Sequence, residues 1–295
     1  MKKRIFKAMW LSVMAVAVVT VSSCSSDSDF FGLDGLEDVD IFTNPSTINQ
    51  SELLELANSC PFYITETNEY ITYINSFDNL FNAINDSIES KYNSKSDLDP
   101  LRKALIVNYE ILINKYPEYK SLTVAGKELL RHHFQKSNSN IKNQKRTKNR
   151  SVESCTAYNA LNKPMLDGLI IDAGIYCYQG IYMQIFNSSD AVTAAIIYTI
   201  TEQVEFGGLG YGDSSILMID PNAGPYSMKL VFINNPNYSF NYAFHVHPVM
   251  DISSYIYLND ADEASRQTCL NTTGCSDFRV YDWSNNYHSF SGRHY

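Results

Sequence analysis

Three short segments of the chain carry the residue types of a hydrolytic metal site. His245 and His247 alternate along a predicted strand that Pro248 ends, so both imidazoles should project from one face of that strand. Paired imidazoles on a rigid strand can supply two of the three protein ligands of a catalytic zinc ion. The pair alone is a weak signal, because two histidines on a half-exposed strand often bind nothing.

An aspartate at the start of a predicted helix would complete the ligand set. Asn259 suits the N-cap of that helix, which puts Asp262 at its third position. A carboxylate in a first helical turn can reach a site at a strand end. Two histidines with one aspartate leave a coordination position of zinc open for water. Asp260 is the rival for this role, and Asp251 is a more distant one.

Glu205 supplies the base that such a site needs. It precedes Gly207 and Gly208, where the absence of side chains permits a close approach of the backbone. Zinc lowers the pKa of a bound water to near neutrality, and a neighbouring carboxylate can take that proton and pass it to a leaving amine. The segments together predict a zinc-dependent amide hydrolase. An ordinary strand-edge carboxylate is the simpler alternative for Glu205.

These segments resemble the JAMM family of metalloproteases. The motifs that carry the resemblance are FNSSDAVTAAIIYTITEQVEFGGLGY at 186–211, FHVHP at 244–248 and LNDAD at 258–262. The resemblance covers about residues 155–295. Within the family, the motifs are most similar to those of a bacterial JAMM-like domain of unknown function, which also occurs at the ends of some polymorphic toxins. The resemblance implies a peptide or protein substrate, since family members are peptidases or isopeptidases. It also implies that His245, His247 and Asp262 bind zinc and that Glu205 is the general acid/base.

Two departures from the family pattern leave other functions open. Asn259 stands where family members usually have a serine that stabilises the tetrahedral oxyanion. An asparagine amide can donate a hydrogen bond there, but losing a good oxyanion donor costs on the order of 10²–10³ in rate. The loop between Pro248 and Asn259 is also longer than usual. The chain is alternatively a non-catalytic binding protein on a degenerate JAMM-like scaffold, or a toxin-associated effector.

The elements that must position these residues predict an α+β fold for residues 155–295. A helix, several strands, a second helix and a last strand follow one another in this half. The predicted helices cover 190–202 and 259–267, and the predicted strands cover 205–211, 215–219, 228–233, 240–247 and 277–283. For this half the JAMM resemblance implies a mixed sheet with flanking helices.

Residues 51–135 predict a small all-α module in front of that domain. Apolar residues recur at spacings of three and four along 71–88 and along 101–116, and a shorter third helix is predicted from Val124 to Phe134. Pro100 lies near a predicted start and Pro117 at a predicted stop. A solvated basic linker is then predicted over 136–154, because residues 136–152 hold six basic residues and no acidic one.

The first 23 residues have the pattern of a lipoprotein signal peptide. Basic residues precede an apolar run from Ala8 to Val21, which is too short to span a membrane, and Val-Ser-Ser-Cys24 resembles a lipobox. This predicts cleavage before Cys24 and lipid on its thiol, with an ordinary signal peptide as the alternative. Residues 24–50 predict a tether of the Bacteroidetes type. We therefore expect a lipid-anchored protein at the bacterial outer membrane or cell surface.

Charge and cysteine content bound the partners and the redox setting. The 295 residues include 32 acidic and 23 basic side chains, so the net charge is −9, and removal of residues 1–23 makes it −13. This acidity argues against nucleic acid, and the basic segment lacks the interleaved aromatic residues that stack on bases. Export would permit disulfides. Among the cysteines that remain, Cys269 and Cys275 can close a small loop.

Overall fold

A computed structural model gives the fold of the chain. The residues that it describes are 15–22, 50–89, 98–143, 170, 173–178, 180–187, 190–225, 227–234, 240–248, 260–283, 285 and 287–290. None of the helices in these ranges is both long enough and apolar enough to cross a membrane.

The described residues between 50 and 143 are mainly helical, as the apolar spacing predicts. Pro100 lies in the first turn of its helix, and Pro117 follows directly where that helix ends. The helices are α1 (Gln50–Ser59), α2 (Asn68–Glu89), α3 (Asp99–Lys115), α4 (Pro117–Lys120) and α5 (Val124–Asn143), with a 3₁₀ turn at Phe62–Glu66. The last of these helices continues past Phe134 into the segment predicted as a linker. That segment holds no glycine or proline to stop a helix.

The carboxy-terminal half forms a mixed sheet with two helices, which confirms the α+β class. The helices are α6 (Asp190–Glu202) and α7 (Asp260–Thr273). The strands of this half are β2 (Ile175–Tyr178), β3 (Ile181–Asn187), β4 (Phe206–Tyr211), β5 (Ser214–Ile219), β6 (Ser227–Asn234), β7 (Phe240–Val246), β8 (Phe278–Tyr281) and β9 (Tyr287–Phe290). Seven of them form one sheet in the order β2-β3-β5-β4-β7-β8-β9. Every neighbouring pair in it is antiparallel except β7 with β8, which the α7 crossover joins in parallel.

The strand β6 leaves this sheet and pairs with a strand from the start of the chain. That strand, β1 (Ala15–Ser22), runs antiparallel to β6 over its whole length, from Ala15 opposite Asn234 to Ser22 opposite Ser227. It comes from the apolar run that predicts a signal peptide. Cleavage before Cys24 stays a prediction, since residue 24 and the tether lie outside the described residues.

The seven-stranded sheet is covered on both faces, and the alternation of side chains decides what each face meets. Phe244 and Val246 belong to the buried core shared with α6 and the amino-terminal helices. Ala243 belongs to the second buried core, which includes side chains of β6 and α7. Because side chains alternate along a strand, His245 lies on this second face, toward β6 and α7.

A buried polar network joins the amino-terminal helices to α6. The ammonium of Lys127 lies 2.7 Å from a carboxylate oxygen of Glu202, and the hydroxyl of Tyr109 donates to Glu202 at 2.9 Å. The rings of Phe77 and Tyr198 pack with their centroids 5.5 Å apart. The predicted helical module and the sheet therefore share one core in this structure.

Candidate metal site

Glu205 lies in the short connection between α6 and β4. The helix ends where Gln203 adopts a left-handed conformation with φ of 58°, while the N–H of Gln203 still donates to the carbonyl of Thr199. Two residues later the N–H of Glu205 donates to the carbonyl of Gly224 at 2.9 Å. The carboxylate is fully buried. The sharp end of α6 therefore fixes an acidic side chain directly before β4, a strand in the interior of the sheet.

The histidines come from the neighbouring strand β7. Gly207 of β4 lies opposite His245, so Glu205 and His247 follow at the next positions on the same face. His245 and His247 are both buried. The N–H of His247 donates to the carbonyl of Tyr281, the last residue of β8, at 3.0 Å. The backbone of both neighbouring strands thus positions the two imidazoles.

The glycine at 207 allows β6 to pack beside the site. A Cβ at this position would lie 2.6 Å from the carbonyl oxygen of Phe244 and 2.9 Å from a methyl group of Leu230. It would also lie 3.0 Å from the sulfur of Met228. The side chains of β6 therefore occupy the space that any larger residue at 207 would need, next to His245.

The two imidazoles face each other through their Nε2 atoms. These nitrogens lie 2.9 Å apart, and the ring centroids are separated by 4.7 Å. The other side of His245 packs against the ring of Phe278 at a centroid distance of 5.4 Å. Both rings therefore direct their Nε2 atoms toward the space between them.

Glu205 contacts the opposite nitrogen of His247. Its Oε1 lies 3.1 Å from Nδ1 of that ring, and both side chains are buried. When Nδ1 carries the proton for this contact, Nε2 presents its lone pair toward His245. Carboxylates commonly hold metal-binding histidines in this way and set their tautomer. The carboxylate thus orients His247, a role that the sequence did not predict.

Glu205, His245 and His247 form a buried group that can bind a metal ion. One potential ligand atom from each residue lies within 4.8 Å of the others. A tetrahedral zinc ion bound at ~2.0–2.1 Å separates its nitrogen ligands by roughly 3.3 Å. The two Nε2 atoms would have to move apart by only a few tenths of an ångström, so the two imidazoles fit the ion.

The structure brings together some of the predicted site residues and leaves others undescribed. Asp262 is the third residue of α7, because that helix begins at Asp260. The side chains of both aspartates lie outside the described part of the chain, and so do Asn259 and Asp251 entirely. The choice between Asp262 and Asp260 as a ligand therefore stays a prediction.

The structure also gives the positions of two other histidines in the chain. His288 of β9 lies opposite Val280 of β8, and Val280 lies opposite His245 of β7. The three residues therefore share one row across the sheet. Glu128 and His132 lie four residues apart, a spacing that in principle lets both bind one metal ion, although the histidine more simply provides a cationic helix end. The structure pairs Glu128 with Arg131 instead, at 2.7 Å.

The chain matches no known family model, no curated protein and no solved structure. The JAMM resemblance therefore rests on the motifs in the sequence.

Proposed function

We propose that the protein is an exported, lipid-anchored zinc-dependent hydrolase that cleaves amide bonds in peptide or protein substrates. The observation that carries this proposal is the buried group of Glu205, His245 and His247, in which two Nε2 atoms lie 2.9 Å apart. Two histidines with one carboxylate are a ligand set of catalytic zinc ions in hydrolases, and the two imidazoles lie close together here. The α+β fold of this half has the mixed sheet and flanking helices that the JAMM resemblance implies.

The third ligand comes, in this proposal, from the first turn of α7. A helix that joins two parallel strands runs back across the sheet, so its first turn begins toward the end where the preceding strand finishes. The strand before α7 is β7, which finishes next to His247. Asp262 is the preferred ligand, with Asp260 as its rival. A zinc ion held there would act as a Lewis acid and make water nucleophilic near neutral pH.

Glu205 moves the proton in the proposed reaction. It is the carboxylate of the described chain that lies against the two histidines, and burial keeps bulk water from competing for it. It would accept a proton from the attacking water and deliver it to the leaving amine nitrogen. Asn259 would donate an amide hydrogen to the developing oxyanion, in place of the serine found in the family. Lipid on Cys24 would hold the enzyme at the outer membrane or cell surface.

Replacing Glu205 by the isosteric glutamine tests this assignment. Glu205→Gln should keep the zinc, with an affinity lower by about 10- to 100-fold because the hydrogen bond to His247 changes. It should lose peptide hydrolysis by about 10²-fold or more, because the proton acceptor is gone. Zinc content and cleavage of a peptide library measure the two effects. Asp213→Asn, in the exposed turn after β4, is the matched control and should change neither.

A binding protein on a degenerate JAMM-like scaffold is the second candidate. The contact between Glu205 and His247 favours it, because a carboxylate committed to orienting a ring is not required to exchange protons. In that case both Glu205→Gln and the unaltered protein would bind zinc, and neither would cleave any peptide of the library. Hydrolysis by the unaltered protein that disappears in Glu205→Gln would exclude it.

A further inference from the structure

The end of α7 turns the chain back on itself. Gly274 has φ of 73°, and its N–H donates to the carbonyl of Leu270 at 2.9 Å. This is a left-handed cap, a common way for a helix to end at glycine. It returns Cys275 over the last turn of the helix, where Cys269 lies. Residues four to six positions apart thus become neighbours in space.

The two cysteines meet in a buried, apolar place. Cys269 is 1% exposed and Cys275 is 7% exposed, and both belong to the core cluster beneath β6. A hydrogen bond joins the thiols of Cys269 and Cys275. The thiol of Cys275 in turn contacts the carbonyl of Asp277 at 3.7 Å. Apolar contact across a helix cap would account for burial, but it does not require two thiols.

We propose that Cys269 and Cys275 are a redox-active pair that closes to a disulfide under oxidising conditions. The bond would fasten the end of α7 to the segment that leads into β8. That strand lies beside β7, which carries His245 and His247. The disulfide would therefore fix the crossover that carries the first turn of α7, and it does not depend on the proposed hydrolase.

The pair differs from the other buried cysteines of the described chain in the acidity of a thiol. The hydrogen bond with Cys269 lowers the pKa of Cys275 to about 7, despite its burial. Burial instead raises the pKa of Cys60 and of Cys177 to about 12. A thiolate is the nucleophile in disulfide exchange, so Cys275 reacts near neutral pH while the other two stay inert. Its neighbours Gly274 and Ser276 are exposed, which gives a small oxidant access.

The oxidation balances with a low-molecular-weight disulfide such as oxidised glutathione. The thiolate of Cys275 attacks one sulfur of that disulfide and releases one molecule of reduced thiol. The thiol of Cys269 then loses its proton and attacks the sulfur of Cys275, which releases the second. Two protein thiols are oxidised by two electrons, and the disulfide is reduced to two thiols.

Differential alkylation of the folded protein tests the proposal. The full-length protein is equilibrated in glutathione buffers from reducing to oxidising, unfolded, alkylated and digested with trypsin. Both cysteines fall in one tryptic peptide, 267–279. We expect this peptide to lose both alkyl groups together and to become lighter by two hydrogens in oxidising buffer. Cys60 and Cys177 should remain alkylated throughout.

A stability measurement separates a bond from mere contact. Closing this short loop should raise the unfolding midpoint by roughly 5 °C in oxidising buffer relative to reducing buffer. Cys275→Ser keeps a similar volume and should abolish that difference, whereas Cys60→Ser should preserve it. Full alkylation of 269 and 275 in every buffer, or glutathione retained on Cys275 without ring closure, would overturn the proposal.

Discussion

The packing around Gly208 in the sheet leaves no room for a side chain. A Cβ built at this position would lie 1.8 Å from the carbonyl oxygen of Ile216 and 3.0 Å from the ring of Phe244. The backbone of β5 cannot retreat without breaking its pairing with β3. Gly208→Ala should therefore lower the free energy of unfolding by about 3 kcal/mol or more, measured by urea denaturation.

The control for this prediction is a glycine with room around it. At Gly126 in α5 the nearest atoms to a built Cβ lie 3.5 Å away, which is ordinary contact. Gly126→Ala should leave stability unchanged or raise it by up to about 1 kcal/mol, since alanine favours the helix. Equal destabilisation by both alanines would contradict the packing argument.

At the residue scale, the sequence predicts which residues form the site better than it predicts the contacts between them. Period-two alternation alone puts His245 and His247 on one face, and the strand β7 has this form. The pairing of Glu205 with Nδ1 of His247 could not be predicted, because it depends on strand register and on side-chain torsions. Register follows from the hairpin between β4 and β5 and from β7 joining β4, which no single segment specifies.

At the scale of elements, the edge of β6 depends on β1. Within the described residues β1 is the only strand that pairs with β6 in their two-stranded sheet. Removal of residues 1–23 should therefore free those amides of β6 that donate to β1, whereas the N–H of Lys229 donates to the carboxylate of Asp220 in either chain. Hydrogen exchange in that strand should become faster by roughly 10-fold or more in a chain that begins at Cys24.

The strand β5 provides the internal control for this experiment. It is paired on both sides, by β3 and β4, and does not contact β1 through its backbone. Its exchange should be the same in the full-length and shortened chains. Unchanged protection of β6 in the shortened chain would mean that the pairing with β1 contributes nothing to the fold.

The long periodic helices were predictable from the sequence, whereas some of the short strands were not. The stripe along α2 and the apolar stretch of α6 identify both helices within a few residues. The strands β2 and β3 went unpredicted, although Ile181 and Met183 are buried on either side of the half-buried Tyr182. Segments of four or seven residues give few alternations by which a strand can be distinguished from a loop. The extension of α5 past residue 135 was not predicted, because the basic residues there were interpreted as a solvated linker and not as a helix.

At the scale of the whole molecule, a buried ion pair links the helices to the sheet. Burial alone would raise the pKa of Glu128, but Arg131 and hydrogen bonds from Tyr198 and Gln184 hold that pKa below its ordinary value. A lowered carboxyl pKa contributes stability that is complete above the ordinary value of 4.5 and is lost as the pH falls through the folded value. The protein should therefore lose stability on acidification below about pH 4.5.

Glu128→Gln should remove that part of the acid sensitivity. It leaves Arg131 buried without its charge partner, so we expect a loss of about 3–5 kcal/mol at pH 7. The free energy of unfolding should then change less between pH 5 and pH 3 than in the unaltered protein. Glu110→Gln on the exposed face of α3 is the control. An identical pH profile for Glu128→Gln and the unaltered protein would contradict the role of this pair.

The metal content of the whole protein is the most direct test of the proposed metal centre. Protein purified after supply of zinc should contain one zinc ion per chain by elemental analysis, and His245→Ala and His247→Ala should each lose it while keeping the circular dichroism of the folded state. A folded, unaltered protein that remains free of zinc after zinc is supplied would contradict the proposed metal centre and the hydrolase built on it.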